Sequence, residues 1–203
     1  MFQILPEAAP QRSMPLEVDG VEYVVFGGPY RNKPGYMLGV KMAAEINLPC
    51  NVDCPTEDFQ IPDLATFRDA LRSTLMLVLA DQEVYVGCMG GIGRTGLMLS
   101  GLAKIALTYQ FGANDCNPVH YVREHFNPHA VETKPQQKMI DELDVTAYVD
   151  MLEAAHRVSR QPWVWTKPAR VAVSPLSEFV AKQTVCSFAG FVDKIVKFIT
   201  LQK

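Results

Sequence analysis

The stretch Val84-Tyr85-Val86-Gly87-Cys88-Met89-Gly90-Gly91-Ile92-Gly93-Arg94-Thr95-Gly96 decides how this chain is read. Glu83 to Gly87 is short and carries β-branched and aromatic residues, the pattern of a strand. Cys88 to Gly93 is a glycine-rich turn, and Thr95 to Gln110 is a mostly apolar helix, so strand, turn and helix meet at Cys88. Three glycines between Cys88 and Arg94 allow left-handed or close-approach backbone. Successive N–H groups can then converge into an anion-binding nest at a helix N-terminus. A cysteine at the mouth of such a nest feels the helix dipole and a guanidinium, both of which favour its thiolate. Arg94 is suited to bind two phosphate oxygens at once, a fork that lysine cannot reproduce.

Two other readings of the same residues stand beside this one. Gly91-Ile92-Gly93-Arg94-Thr95-Gly96 also satisfies the G-x-G-x-x-G dinucleotide fingerprint, and Asp115 lies 19 positions after Gly96. That fold needs a second parallel strand ending at the acid; Phe111 to Asp115 is too short and polar for one, and Arg94 would crowd a pyrophosphate. A phosphate loop of the G-K-S/T type is absent. The plain structural reading is a tight glycine turn beside a buried cysteine.

Upstream, the first twenty residues, with Pro6, Pro10 and Pro15, read as an irregular lead-in, and Val21 to Phe26 as a strand ending at Gly27-Gly28-Pro29. Residues 37–46 look weakly helical, and Ile46 to Val52 reads as a short second strand. Pro55 to Pro62 is an acidic, proline-bounded loop. From Asp63 onward, Leu64, Phe67, Leu71, Leu75 and Val78 recur at helical spacing, with Asp63 placed to cap the helix. Downstream, Asn117-Pro118 opens a helix through Phe126, and Pro135 to about Ser159 reads as one longer helix. Gln161 to Pro175 reads as a packed connector, followed by an amphipathic stretch from Ser177 towards Lys203. These patterns predict an α/β fold: a central, mostly parallel sheet flanked by helices, with residues 1–160 as one domain and 161–203 as a helical extension.

The chain has 203 residues, 48% hydrophobic and 20% charged, enough for one domain with a sizeable core. Lys+Arg 19 against Asp+Glu 22 leaves a net charge of −3, so no basic excess points to nucleic acid or an anionic membrane, and any bound anion must be caught locally. Met1 to Glu7 lacks the basic run and apolar core of a signal peptide, and no apolar run reaches transmembrane length, which predicts a cytoplasmic protein. Five cysteines at irregular spacing predict free thiols.

The segment from Cys88 resembles the signature of the protein tyrosine phosphatase superfamily: a cysteine, five residues, an arginine, then serine or threonine, matched by Cys88, Arg94 and Thr95. Asp58-Phe59-Gln60-Ile61-Pro62 is similar to that family's acid loop, an aspartate four residues before a proline. Tyr121-Val122-Arg123 and Ala130 to Gln136 resemble the helix and the Thr-x-x-Gln element of its dual-specificity branch. Residues of roughly 20 to 155 are covered.

The resemblance implies a cysteine-dependent phosphatase of phosphotyrosine, with phosphoserine or phosphothreonine as further substrates, acting through a phosphocysteine without metal or other cofactor. Cys88 is then the nucleophile. Arg94 and the amides of Met89, Gly90, Gly91, Ile92 and Gly93 hold the phosphoryl oxygens, and Thr95 hydrogen-bonds the departing sulfur. Asp58 is the general acid, with Asp53, Glu57 and Asp63 as nearby alternatives, and Gln136 orients the second-step water. The partner is a phosphorylated protein or a small phosphate ester. A nucleotide or RNA-end phosphatase, and a pseudophosphatase that binds without turnover, are the competing readings. The chain departs from the family at Gly87, where a histidine normally precedes the cysteine, and at Thr56-Glu57, where a tryptophan normally precedes the acid. The loop interior has no lysine, unlike the phosphoinositide phosphatases of the superfamily, and Tyr30-Arg31-Asn32-Lys33 is not the Lys-Asn-Arg-Tyr segment of tyrosine-specific members.

Cys50 and Cys54 form a C-x3-C pair without a second pair to complete a zinc site; either is a candidate for a reversible disulfide with Cys88. His120, His125 and His129 read as surface or helix-end residues. Phe188, Phe191, Val192, Ile195 and Ile199 are expected to pack back on the core, with a peripheral membrane contact as the alternative.

Overall fold

The structure is a computed structural model and describes residues 12–113 and 117–159. The chain divides into two compact units, Met1–Leu152 and Glu153–Lys203. The extension 161–203, the first eleven residues and Asp115 lie outside the described residues.

Strands β1 (Arg12–Val18), β2 (Val21–Pro29), β3 (Leu38–Ala43), β4 (Val52–Thr56) and β5 (Val84–Cys88) form one sheet in the order β1-β2-β5-β3-β4. Only β1 and β2 are antiparallel; β2–β5, β5–β3 and β3–β4 are parallel, which makes a mostly parallel sheet as expected. Helices α1 (Leu64–Leu79), α2 (Gly93–Phe111) and α3 (Pro118–His125) flank it, α4 (Lys134–Asp141) packs on α2 and α3, and α5 (Thr146–Ser159) follows in the chain. Thirteen of the nineteen residues of α2 are buried, so it is the central helix rather than a one-faced cover. The carboxyl ends of β2, β3, β4 and β5 share one edge, where ligands of parallel sheets bind.

Several sequence expectations change. The lead-in is not irregular beyond residue 11: Met14, Leu16 and Val18 alternate into the core, and Pro15 is tolerated because β1 is an edge strand. Asp19 and Gly20, at φ 56° and 73°, make the tight turn to β2, and β2 runs on through Pro29. Residues 38–43 are strand, not helix. Strand β3 lies between two parallel partners and is buried on both faces, so its apolar run carries no alternation that separates strand from helix. The next strand begins at Val52, where the predicted one was to end, and Val52, Cys54 and Thr56 point inward.

The helix beyond Pro135 is two helices. Lys104 Nζ donates to the carbonyls of Ile140 (2.7 Å) and Asp141 (2.8 Å) at the end of α4, and Asp144 Oδ1 accepts the Thr146 amide at 2.9 Å to start α5. The cap at Asp63 forms as read: its carboxylate accepts the Thr66 amide at 2.9 Å.

A Leu16→Ala substitution tests the reassignment of β1. Leu16 is 1% exposed, so truncation should cost about 2–5 kcal/mol in urea unfolding; a loss below about 0.5 kcal/mol, the surface value, would restore the irregular lead-in.

Candidate active site

All five residues of β5 are buried, and the strand delivers Cys88, 3% exposed, to the carboxyl edge of the sheet. The turn that follows is shaped by its neighbours. Gly91 is left-handed (φ 71°), and a Cβ there would collide with the Gly28 carbonyl carbon and the Pro29 nitrogen. Its amide donates to Cys88 Sγ at 3.2 Å. A Cβ on Gly87 would lie 2.8 Å from Tyr30 Cα and 2.9 Å from the Gly28 oxygen. The departure from histidine at 87 thus has a steric cause, because the Gly28–Tyr30 segment occupies the space. Met89 and Gly90 are exposed at the mouth of the turn, while Gly91 and Gly93 are buried beneath it.

Arg94, in the first turn of α2, is 2% exposed. Its Nη1 donates to Glu45 Oε2 and to the Thr56 carbonyl, both at 2.8 Å. Its Nη2 donates to Glu45 Oε1 at 2.6 Å and pairs with Asp58 Oδ1 at 2.9 Å. Glu45 therefore grips one edge of the guanidinium with both oxygens. Burial works against the Arg94 charge, but the hydrogen bonds to Glu45 and the charges of Cys88, Glu45 and Asp58 outweigh it and hold the proton more tightly than usual. The same bonds from Arg94 push the Glu45 carboxyl below its ordinary value of 4.5.

Asp58 is brought to the site: it touches Arg94 and remains 62% exposed at the open side. Its loop is held at Gln60, whose carbonyl accepts Gln136 Nε2 at 3.2 Å. Gln136 is buried; its Oε1 takes the amides of Glu132 (3.0 Å) and Thr133 (3.3 Å) in a capping box that starts α4. It is neither a solvated residue nor a free one, and it ties the acid loop to α4. Thr95 Oγ1 is buried with no hydrogen-bond partner, so the expected bond to sulfur is not formed. Asp63 caps α1, Asp53 pairs with Lys41 at 3.2 Å, and Glu57 is exposed next to Asp58.

Among the described residues, Cys50, Cys54 and Cys88 are free thiols. Cys54 lies on β4, separated from β5 by β3, so its Cα is about two strand spacings (~9.6 Å) from that of Cys88, beyond the roughly 7 Å a disulfide spans. That pairing is ruled out, and burial pushes the Cys54 thiol up to about 11. His125 stacks on Tyr121 and His120 faces Glu124 on α3, as helix-surface residues.

Glu45 escaped sequence reasoning. Its signal was there: it is the only charged residue between Lys41 and Asp53. A thiol that accepts the Gly91 amide, a gripped guanidinium and an exposed carboxyl can together hold a tetrahedral oxyanion, attack its centre and exchange a proton.

The family described as "Polymorphic toxin system, DSP-PTPase phosphatase" matches residues 35–105, which span β3 to α2. The uncharacterized protein MJ0215 of Methanocaldococcus jannaschii is 36% identical over 89 residues, covering 43% of this chain and 51% of that protein. The chain thus spans about half the length of that curated relative. Among solved structures, Tk-PTP in the active form is 25% identical, with a TM-score of 0.43 over 54% of this chain and 80% of that one. Kinase associated phosphatase (KAP), its catalytic cysteine substituted by serine, is 14% identical, with a TM-score of 0.46 over 73% and 99%.

Glu45→Gln should weaken tungstate binding about five- to tenfold at pH 7 by calorimetry, because one charge-assisted bond of the pair is lost. The Glu45 carboxyl is held below its ordinary 4.5, so its stabilisation is complete above that value and is lost as pH falls through the lower, folded one. The difference in urea midpoint between wild type and Glu45→Gln should be constant from about pH 7 to 5 and shrink only below about 4.5; a difference that fades above pH 5 contradicts the geometry.

Proposed function

We propose that this protein is a cysteine-dependent phosphatase of the protein tyrosine phosphatase superfamily, on its dual-specificity side, a reading supported by the match of residues 35–105 to a DSP-PTPase family. It hydrolyses phosphate monoesters, phosphotyrosine on proteins first among them, with residues 1–160 as the catalytic unit and 161–203 as an extension. The observation that carries the reading is the convergence at one sheet edge of Cys88, whose sulfur already takes a loop amide, and a buried Arg94 held by Glu45.

In this mechanism the Cys88 thiolate attacks phosphorus as the ester P–O bond breaks. Protonated Asp58 gives its proton to the leaving oxygen, and the amides of Met89 to Gly93 with Arg94 hold the equatorial oxygens. Water then attacks the phosphocysteine, Asp58 takes the water's proton, the P–S bond breaks, and inorganic phosphate leaves. Thr95 serves the departing sulfur: its buried hydroxyl has no other partner, and hydroxyls rotate to suit. Gln136 has one amide proton beyond its bond to Gln60 with which to orient the water.

Charge supports a singly phosphorylated substrate. From Met42 to Phe67 there are five acidic residues and no basic one, and three of them, Glu45, Glu57 and Asp58, lie on or next to the Arg94 contacts. A second phosphate would be placed against like charge.

Wild type should hydrolyse aryl phosphates in the presence of a chelator, and Cys88→Ser should abolish turnover while retaining tungstate binding. Asp58→Asn should lower kcat about 100-fold or more on phosphotyrosine peptide, the range of a lost general acid, and much less on p-nitrophenyl phosphate, whose leaving group needs no proton. Stoichiometric tungstate binding without turnover of any phosphopeptide, nucleotide or phosphoinositide would establish the binding-only alternative.

A further inference from the structure

Tyr30 follows β2 directly, in a single 3-10 turn, and is buried although it bears a hydroxyl. Its Cα and Cβ occupy the space above Gly87, 2.8 and 3.0 Å from where a Cβ on that residue would sit. Its ring tip occupies the space above Gly39 of β3, where a Cβ would collide with Oη and lie 3.0 Å from Cζ. The side chain therefore crosses from β5 to β3 over two bare positions. It ends on the far side, where Oη donates to the Pro49 carbonyl at 2.8 Å.

Pro49 belongs to the connection between β3 and β4, and that connection carries Glu45. One end of the connection is tied at Thr56, whose carbonyl accepts both the Ala44 amide (3.2 Å) and Arg94 Nη1 (2.8 Å). The other end is tied at Asn51, which exchanges hydrogen bonds with the Gly39 backbone at 2.8 and 2.9 Å. Between these anchors, Tyr30 Oη is the side-chain bond that fixes Pro49. The same segment, Gly28 to Tyr30, walls the phosphate turn at Gly87 and at Gly91. One residue thus backs the Cys88 turn with its backbone and, with its hydroxyl, holds the connection that carries Glu45.

We propose that Tyr30 is a positioning residue that sets Arg94 relative to the Cys88 turn by pinning the Glu45-bearing connection, an inference that rests on reading the turn as a phosphate cradle. Burial, and behind it the charges of Cys50 and Asp53, push the Tyr30 hydroxyl up to about 12, so it remains a donor at neutral pH. The role belongs to the hydroxyl rather than the ring: Tyr30→Phe keeps the filling of the Gly39–Gly87 slot and releases only Pro49.

A double-mutant cycle of Tyr30→Phe and Glu45→Gln separates positioning from packing, because a residue acting through Glu45 loses its effect when Glu45 is already altered. Tyr30→Phe alone should weaken tungstate binding about three- to tenfold and lower kcat/KM for an aryl phosphate by a similar factor, within the range of one lost hydrogen bond. In the Glu45→Gln background it should change either quantity less than about twofold. Independent effects that multiply, or wild-type tungstate affinity in Tyr30→Phe, overturn the assignment. Should Tyr30→Phe fail to fold, Gly39→Ala, whose new methyl displaces the hydroxyl along with the Lys33 stem, is carried through the same cycle with the same criteria. A wild-type protein that neither binds tungstate nor turns over aryl phosphate removes the cradle reading itself, a different result from intact wild-type binding that Tyr30→Phe leaves unchanged.

Discussion

The site depends on a guanidinium that is almost wholly removed from water. An unpaired buried charge costs several kcal/mol, so Arg94 can stay at 2% exposure only if its donors are met. Four are: two by Glu45, one by the Thr56 carbonyl and one by Asp58. The acceptors are unequal. Glu45 and Thr56 lie on the β3–β4 arm and define the plane of the group, whereas Asp58 approaches from an exposed loop. The arginine is consequently fixed on one edge and exchangeable on the other, the arrangement required of a residue that must be rigid and still receive a ligand.

This asymmetry explains what could be read from the sequence and what could not. Cys88, the glycine turn and Arg94 lie within seven consecutive residues, and their strand–turn–helix context is local, so inspection recovers them. Asp63 as a helix cap and the Asn117-Pro118 helix start are equally local and appear as read. Glu45 reaches Arg94 across 49 positions, and Tyr30 reaches Pro49 across 19; no periodicity records either meeting. Strand β3 fails for a related reason. Its identity comes from pairing on both sides, which its six residues do not advertise. The missed β1 is different, since Asp19-Gly20 between alternating apolar residues is a hairpin signal that was present and was outweighed by Pro15.

Gly87 acquires a meaning that comparison with a family pattern alone could not supply. Two tyrosines lie across the sheet over bare backbone: Tyr30 over Gly87 and Gly39, and Tyr85 over Gly28, with its hydroxyl on the Pro29 carbonyl at 3.1 Å. Each hydroxyl ends on a proline carbonyl: that of Pro29, paired with Cys88 in the sheet, and that of Pro49, in the β3–β4 connection. Burial drives both hydroxyls up to about 12, so they act as neutral struts. Where a side chain on residue 87 would have supported the turn from the strand itself, support comes from the neighbouring β2 segment.

On the proposed reading, the same layout governs how an anion arrives. The net charge is −3, and the segment from Met42 to Phe67 carries five acids and no base, so overall charge supplies no long-range attraction for phosphate. Capture must rest on contacts made at hydrogen-bond distance, the turn amides and the guanidinium edge, which are directional and little affected by salt. A site of this kind selects by the shape and hydrogen bonding of one tetrahedral group, and it disfavours further negative charge on the acid-loop side. On that reading, Glu45 and Asp58, which hold Arg94, also narrow the class of ester the site accepts.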